Sequence, residues 1–405
     1  MTTTSGGRPA DDRATEQINS GATDPGDTPT AEVPSTAAAG GSDGGRSASS
    51  APGGAPRDRK ASALMIAGLT ALGLGIAVAT IPVPYVVESP GPTYNTLGES
   101  QGHPVIKVSG HETYPAAGNL DLTTVYVDGG PNGPVSILGA FSSWLDRTKS
   151  VYPEELIYPT GTSREEAQEQ SSVAMTTSQE NAIASALNEL KIPYGQKLQA
   201  VDLSPGAAAE GRIEPDDVLV SINGTPITSL AVIQADLAAG NGAPVEVVVE
   251  RDGQQLTQTM TPKDNGEGRF ILGVVLKALF TFPFDVQISL DKVGGPSAGM
   301  MFALGIIDTV TPGDLTGGVH VAGTGTITPD GQVGPIGGIG QKMVGAQKAG
   351  ATLFLAPAEN CDEVVGHVPD GLQVVKVENL AGARAAVELA GSGKDTSALP
   401  TCTNN

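Results

Sequence analysis

Residues Ala61 to Ile81 form an uncharged run of 21 residues, and no other stretch restricts the folding of this chain as strongly. At about 1.5 Å per residue a helix of that length is roughly 30 Å long, the thickness of a bilayer's hydrocarbon core. Residues 61–81 are therefore expected to be a transmembrane anchor; the competing reading is a buried helix of a soluble domain. Arg57, Arg59 and Lys60 stand immediately before the run. Basic flanks stay in the cytoplasm, so the sequence predicts a single-pass protein of the cell membrane with everything after Ile81 extracytoplasmic. Ala77-Val78-Ala79 imitates a signal-peptidase site, which leaves cleavage open as the alternative. Residues 1–60 are rich in Gly, Ala, Ser, Thr, Pro and Asp with few large apolar side chains, and are expected to be a disordered cytoplasmic tail.

The 405 residues allow two or three domains, and a formal net charge of −21 argues against nucleic acid as a partner. Pro82, Pro84, Pro90 and Pro92 forbid helix after the anchor, so the chain should leave the membrane extended. Residues 82–190 then form an extracytoplasmic N-terminal region, with a strand at Leu120–Val127 and a helix over Ser178–Leu190.

The chemistry concentrates between Asp291 and Lys348. Gly294, Gly295 and Pro296 allow a sharp turn before Ser297, and the apolar run Met300 to Val310 has helical length. Ser297 is thus expected at a helix N-terminus, where unpaired N–H groups can receive the oxyanion formed when a hydroxyl attacks a carbonyl. A base follows at Lys342, flanked by Ile339, Met343, Val344 and Ala346. Burial favours the neutral amine, the form able to take the serine proton.

Gly295-Pro296-Ser297-Ala298-Gly299, Gly323 to Thr328, Gly331 to Gly338 with Lys342, and Pro357 to Asn360 occur in the order and spacing of the Lon-type serine protease domain, which this part of the chain resembles. The resemblance implies that Ser297 is the nucleophile and Lys342 its general base. It also implies that Thr324 orients the lysine amine, and that Gly295, Pro296 and Ala298 shape the turn. The family usually carries an aspartate three residues before the serine, where this chain has Gly294, with Asp291 further upstream. Gly295 to Gly299 also satisfies the G-x-S-x-G pattern of an α/β-hydrolase elbow, for which Asp330 and His367 are the formal partners. That fold needs a run of parallel strands ahead of the serine, which the sequence does not announce.

Between these parts, about Gly195 to Thr261 is similar to bacterial PDZ domains. Ser204-Pro205-Gly206-Ala207 follows a strand, Pro215-Asp216-Asp217-Val218 leads to Asn223-Gly224, and Val249-Glu250-Arg251-Asp252-Gly253 closes the unit, with Asp216 where glycine is usual. No ligand-binding loop is obvious in it. The fold class is therefore α/β and α+β multidomain: a β-rich PDZ-like module at 195–261, a Lon-type α/β proteolytic domain at 269–389 beginning with a strand at Phe270–Leu276, and an N-terminal transmembrane helix. Residues 390–405 are expected to be a flexible tail. Cys361 and Cys402 are the two cysteines, and an extracytoplasmic location makes a bridge plausible. His103, His111, His320 and His367 lack metal-ligand spacing, so neither metal nor cofactor is expected.

Taken whole, the chain resembles membrane-anchored, PDZ-containing Lon-like serine proteases. That implies polypeptide substrates and a homo-oligomer, a hexamer by resemblance. No G-x-x-x-x-G-K-[ST] loop occurs in the sequence, so an ATP-independent endopeptidase acting on flexible or unfolded chains is the expectation. A catalytically idle PDZ scaffold at the membrane is the alternative.

Overall fold

The computed structural model describes residues 59–290 and 293–403. The tail expected before Arg59, and Asp291, lie outside the described residues. A helix covers Arg59–Ala79, and its window Ser62–Ala79, with mean hydropathy 2.0, is long and apolar enough to cross a membrane.

A six-stranded mixed sheet organises the part that carries Ser297 and Lys342. Its order is Gln373–Val377, Leu353–Pro357, His320–Gly323, Asn119–Asp128, Tyr85–Asn95 and Ser150–Pro153. The first four strands are parallel, with Leu355 opposite Val375, Ala322 opposite Phe354, and Gly323 opposite Leu122; the last two pairings are antiparallel. Both faces are covered, as a parallel sheet requires. Along Leu353–Pro357 the side chains alternate between two cores. Leu353 and Leu355 join the core of the helix Gly299–Val310, whereas Phe354 and Ala356 pack with Ile339, Met343 and Ala346 of the helix Ile339–Ala349. Gly299–Val310 is buried nearly all round, which explains why it is apolar on every face.

The segment expected merely to leave the membrane extended is instead a strand of this sheet. Tyr85–Asn95 buries Val86 and Val87, and its ladder breaks between Pro90 and Thr93, where the prolines have no N–H to give. The helix expected at Ser178–Leu190 begins much earlier and runs over Arg164–Glu189. Ser163 and Glu166 cap each other's backbone there, a box written in the sequence as Ser163-Arg164-Glu165-Glu166.

The β module is a separate antiparallel sheet ordered Gln254–Met260, Val245–Arg251, Val218–Ile222, Gly195–Leu203 and Val274–Thr281. The last strand corrects the expectation of a proteolytic-domain strand at Phe270–Leu276. Val274 pairs with Leu203 and Thr281 with Gly195, so this strand completes the module's sheet, because its apolar side chains meet that module's core. The sequence motif of the module is an ion pair: Arg251 reaches both carboxylate oxygens of the fully buried Asp217 at 2.7 Å. Asp216, in the usual glycine position, has a φ of +73°.

The C-terminal stretch is not a flexible tail as far as it is described. Lys376 N donates to Pro400 O at 2.8 Å, Gln373 and Thr396 exchange two hydrogen bonds, and Cys402 is disulfide-bonded to Cys361 with a Cα–Cα distance of 5.0 Å. The bridge closes a separation of 41 residues, for which loop-closure entropy predicts about 2–4 kcal/mol. Cys402→Ser should lower the urea-unfolding midpoint accordingly; a midpoint equal to that of the oxidised parent would show that the hydrogen bonds alone secure this stretch.

Candidate active site

Ser297 is half-buried in the turn that enters the helix Gly299–Val310, with Ala298 at the N-cap. Its backbone carbonyl is fixed from two sides, accepting from Gly325 N at 2.8 Å and from the Thr324 hydroxyl at 3.0 Å. Met300 N in turn donates to Gly325 O at 3.1 Å, so the first helical turn and segment 324–325 hold each other. The N–H groups of Ser297 and Ala298 have no hydrogen-bond partner among the described residues. They remain available to an oxyanion, at the positive end of the helix.

The helix Arg164–Glu189 grips the loop ahead of the serine. Gly295 N donates to Ser171 O at 3.0 Å, and Ser178 Oγ donates to Pro296 O at 2.9 Å. Gly294 suits this contact: a Cβ at that position would displace the Ser171 hydroxyl and crowd the Ser171 Cβ at 3.2 Å, so a larger residue there requires the helix side chain to turn away.

Lys342 lies in the first turn of the helix Ile339–Ala349 and is only 3% exposed. The serine and lysine helices occupy opposite faces of the sheet. Thr324, directly after the strand His320–Gly323, joins them across the strand end, because Lys342 Nζ donates to Thr324 Oγ1 at 3.1 Å. The hydroxyl has one hydrogen, already given to the Ser297 carbonyl. Thr324 therefore acts toward the lysine as an acceptor, leaving the lone pair of a neutral amine free to face elsewhere. The Ser297 hydroxyl makes no hydrogen bond among the described residues; in substrate-free sites such contacts are often long and tighten with substrate.

Burial pulls the Lys342 amine down to about 8, and the charge of Glu88 draws it partly back. Glu88 itself is buried, and burial raises its carboxyl, with the Lys342 ammonium opposing and Glu363 adding to the rise. Both groups are thus pushed toward their neutral forms. Glu88 Oε2 has no hydrogen-bond partner, and it lies where a Cβ at Gly338 would come within 2.9 Å. Gly338, the N-cap of the lysine helix at a φ of +68°, must stay without a side chain for both reasons. The segment before that helix is clamped by Asn360, which accepts from Ile336 N at 3.0 Å and donates to Ile336 O at 2.9 Å.

Asp330 and His367 are exposed and hydrogen-bond neither Ser297 nor each other among the described residues. The strand before Ser297, Asp285–Ile288, pairs only with Ile106–Ser109 outside the main sheet, so no strand-to-helix elbow carries the serine.

Residues 290–386 match the Lon protease (S16) C-terminal proteolytic domain, and residues 200–251 match a PDZ domain. The chain carries a Lon proteolytic domain and a PDZ domain. Lon protease 2 of Herpetosiphon aurantiacus is 39% identical over 103 residues, 24% of this chain and 12% of that protein. Lon protease of Clostridioides difficile is 37% identical over 89 residues, 21% of this chain and 11% of the relative. Lon protease 2 of Bacillus subtilis is 34% identical over 111 residues, 26% and 19% respectively. The chain therefore spans less than a fifth of these relatives' length.

Ser297, Thr324 and Lys342 fall inside the Lon match, whereas Glu88, Ser171 and Ser178 lie far upstream of it and were not singled out from the sequence. The available signal for Glu88 was a lone carboxylate following Tyr85-Val86-Val87 in an otherwise uncharged strand.

Because Lys342 titrates at about 8 when folded and at an ordinary 10.5 otherwise, its burial cost is complete below pH 8 and fades as pH rises to 10.5. A lowering from 10.5 to about 8 corresponds to roughly 3 kcal/mol. Lys342→Met should therefore unfold at higher urea at pH 7, by up to that amount, with the gain shrinking by pH 10. A variant less stable than the parent at pH 7 would contradict this electrostatic account.

Proposed function

We propose that the protein is an ATP-independent, membrane-anchored serine endopeptidase in which Ser297 attacks the scissile carbonyl and Lys342 shuttles the proton. The observation that carries this is the buried amine held by Thr324, which in turn holds the Ser297 backbone. Neutral Lys342 accepts the hydroxyl proton as the Ser297 Oγ–carbon bond forms. The N–H groups of Ser297 and Ala298 are the donors suited to the tetrahedral oxygen. The lysine then returns its proton to the departing amine, and water repeats the cycle on the ester. None of these steps consumes a nucleotide, and without a motor the substrates are flexible or already unfolded chains.

The location follows from the apolar run and the basic residues ahead of it: a cytoplasmic N-terminus and an extracytoplasmic protease. One experiment reads chemistry and side together. An unfolded protein supplied outside intact spheroplasts should be cleaved without ATP, at a rate rising with pH through about 8. Ser297→Ala, Lys342→Ala and the double variant should be equally inactive, because the two groups act as one unit. Undiminished cleavage by either single variant would overturn the dyad; cleavage only after lysis would overturn the topology.

For the PDZ domain we infer substrate engagement. Val274–Thr281 is an outer strand with one edge unpaired among the described residues, and an extended chain can add to such an edge. Thr281 pairs with Gly195, so the module begins and ends at one place and can be replaced by a short linker. Its removal should leave short-peptide hydrolysis nearly unchanged while slowing cleavage of long unfolded proteins, which alone can occupy both sites. Equal losses on both substrates would instead make it structural support. The hexameric state suggested by the Lon resemblance is readable by light scattering of the solubilised protein.

A further inference from the structure

The helix Ile137–Leu145 is built inside out for a protein in water. Leu138, Phe141, Trp144 and Leu145 are 59, 55, 71 and 64% exposed, whereas Ser143 is buried. No charge interrupts Ile137–Leu145, and the Phe141 and Trp144 rings lie 6.3 Å apart on its outer side. A surface helix normally turns polar residues outward; one that turns Leu, Phe and Trp outward is suited to a surrounding other than water.

Its attachment says which surrounding. Ile137 N donates to Ile81 O at 3.2 Å, and Val83 and Pro82 pair with Val135 and Ser136 just ahead of the helix. The helix therefore starts against the first residues that follow the apolar run. A second apolar group is fastened beside it: Glu154 N donates to Pro84 O at 3.0 Å, and the short helix it opens exposes Leu156. Asp146 ends the helix, and the exposed Arg147 and half-buried Lys149 follow it. Aromatic and aliphatic side chains bordered by charged ones of both signs, Asp146, Arg147, Lys149 and Glu155, match the boundary between acyl chains and headgroups.

We propose that Ile137–Leu145 is an interfacial helix that inserts Leu138, Phe141, Trp144 and Leu145 into the outer leaflet of the bilayer crossed by the anchor. The inference rests on the anchor reading and deepens it. The proteolytic domain is then held flat on the membrane by a second, lateral contact instead of swinging on a tether. Glu88 lies seven residues beyond Ile81, at most roughly 25 Å of extended chain, so the catalytic lysine is kept close to the lipid surface. The site would be served by segments within that distance of the bilayer, the juxtamembrane parts of membrane proteins or chains emerging through it.

Trp144 is the chain's one tryptophan, so its emission reports this helix without labelling. The full chain would be reconstituted into phosphatidylcholine–phosphatidylglycerol vesicles, with and without lipids brominated near the headgroup end of the acyl chain. Flotation reads the anchor, and quenching reads the helix. The expected result is flotation with blue-shifted emission and at least about a twofold loss in brominated vesicles, abolished by Leu138→Asp with Phe141→Asp, both at exposed positions. Flotation with water-like, acrylamide-accessible emission and no bromine quenching would overturn the interfacial helix while sparing the anchor. Failure to float would overturn both. A blue shift that is insensitive to bromine and disappears on dilution would mean that a second copy covers this face, which also overturns the proposal.

Discussion

Everything in the catalytic region depends on keeping one amine out of water. An ammonium as deeply buried as Lys342 is costly, and the fold meets that cost by letting the group release its proton near pH 8. This requires a wall on every side. The sheet supplies one, with its strand Tyr85–Asn95 packed against the lysine helix, and the apolar face of Ile339–Ala349 another. It also requires a partner that takes a hydrogen bond without supplying charge, the part played by Thr324. A carboxylate in direct contact would hold the amine protonated. Glu88 instead is itself pushed toward neutrality by burial, so its pull on the lysine is moderated.

The sheet explains how residues 45 positions apart come to share one partner, Thr324. The two helices that carry them cover opposite faces, and neither could reach the other through the sheet. They meet at the end of the strand His320–Gly323, where the chain passes from ladder to turn and Thr324 touches both sides. Ligands at the carboxyl ends of parallel strands are a general consequence of such open sheets, and this site follows it.

What could be read in the sequence was whatever lay within one local pattern. Ser297 announced itself through the turn before an apolar helix, Lys342 through apolar neighbours, and the block around Asn360 through its spacing from them. Ser178 and Ser171 could not be found in this way. They hold the serine loop from a helix more than a hundred residues earlier, and an entire β module intervenes. The strand expected at Phe270–Leu276 belongs to the other sheet, as Val274–Thr281, because strand propensity says that residues are extended, not which sheet they complete. Only its pairing with Gly195–Leu203 decides that. The C-terminal stretch looked mobile because its hydrophilic composition hides a backbone hydrogen bond and a disulfide whose partners are distant in sequence.

The strand Tyr85–Asn95 ties these observations together. It begins just after the apolar run, accepts Ser150–Pro153 along one side of its first half, and carries Glu88 beside the lysine helix. Pro90 and the bulge that follows interrupt its pairing with Asn119–Asp128, which resumes at Thr93, and there Gly91 O faces Gly345 of the same helix. Exit from the apolar run, closure of the sheet and burial of Lys342 are thus tasks of one continuous segment with no linker between them. On the proposed reading, the site cannot drift from the bilayer without pulling apart the strand that dries the lysine. On that same reading a flexible stalk would let the protease seek substrates, whereas a strand of its own core obliges substrates to come to the membrane.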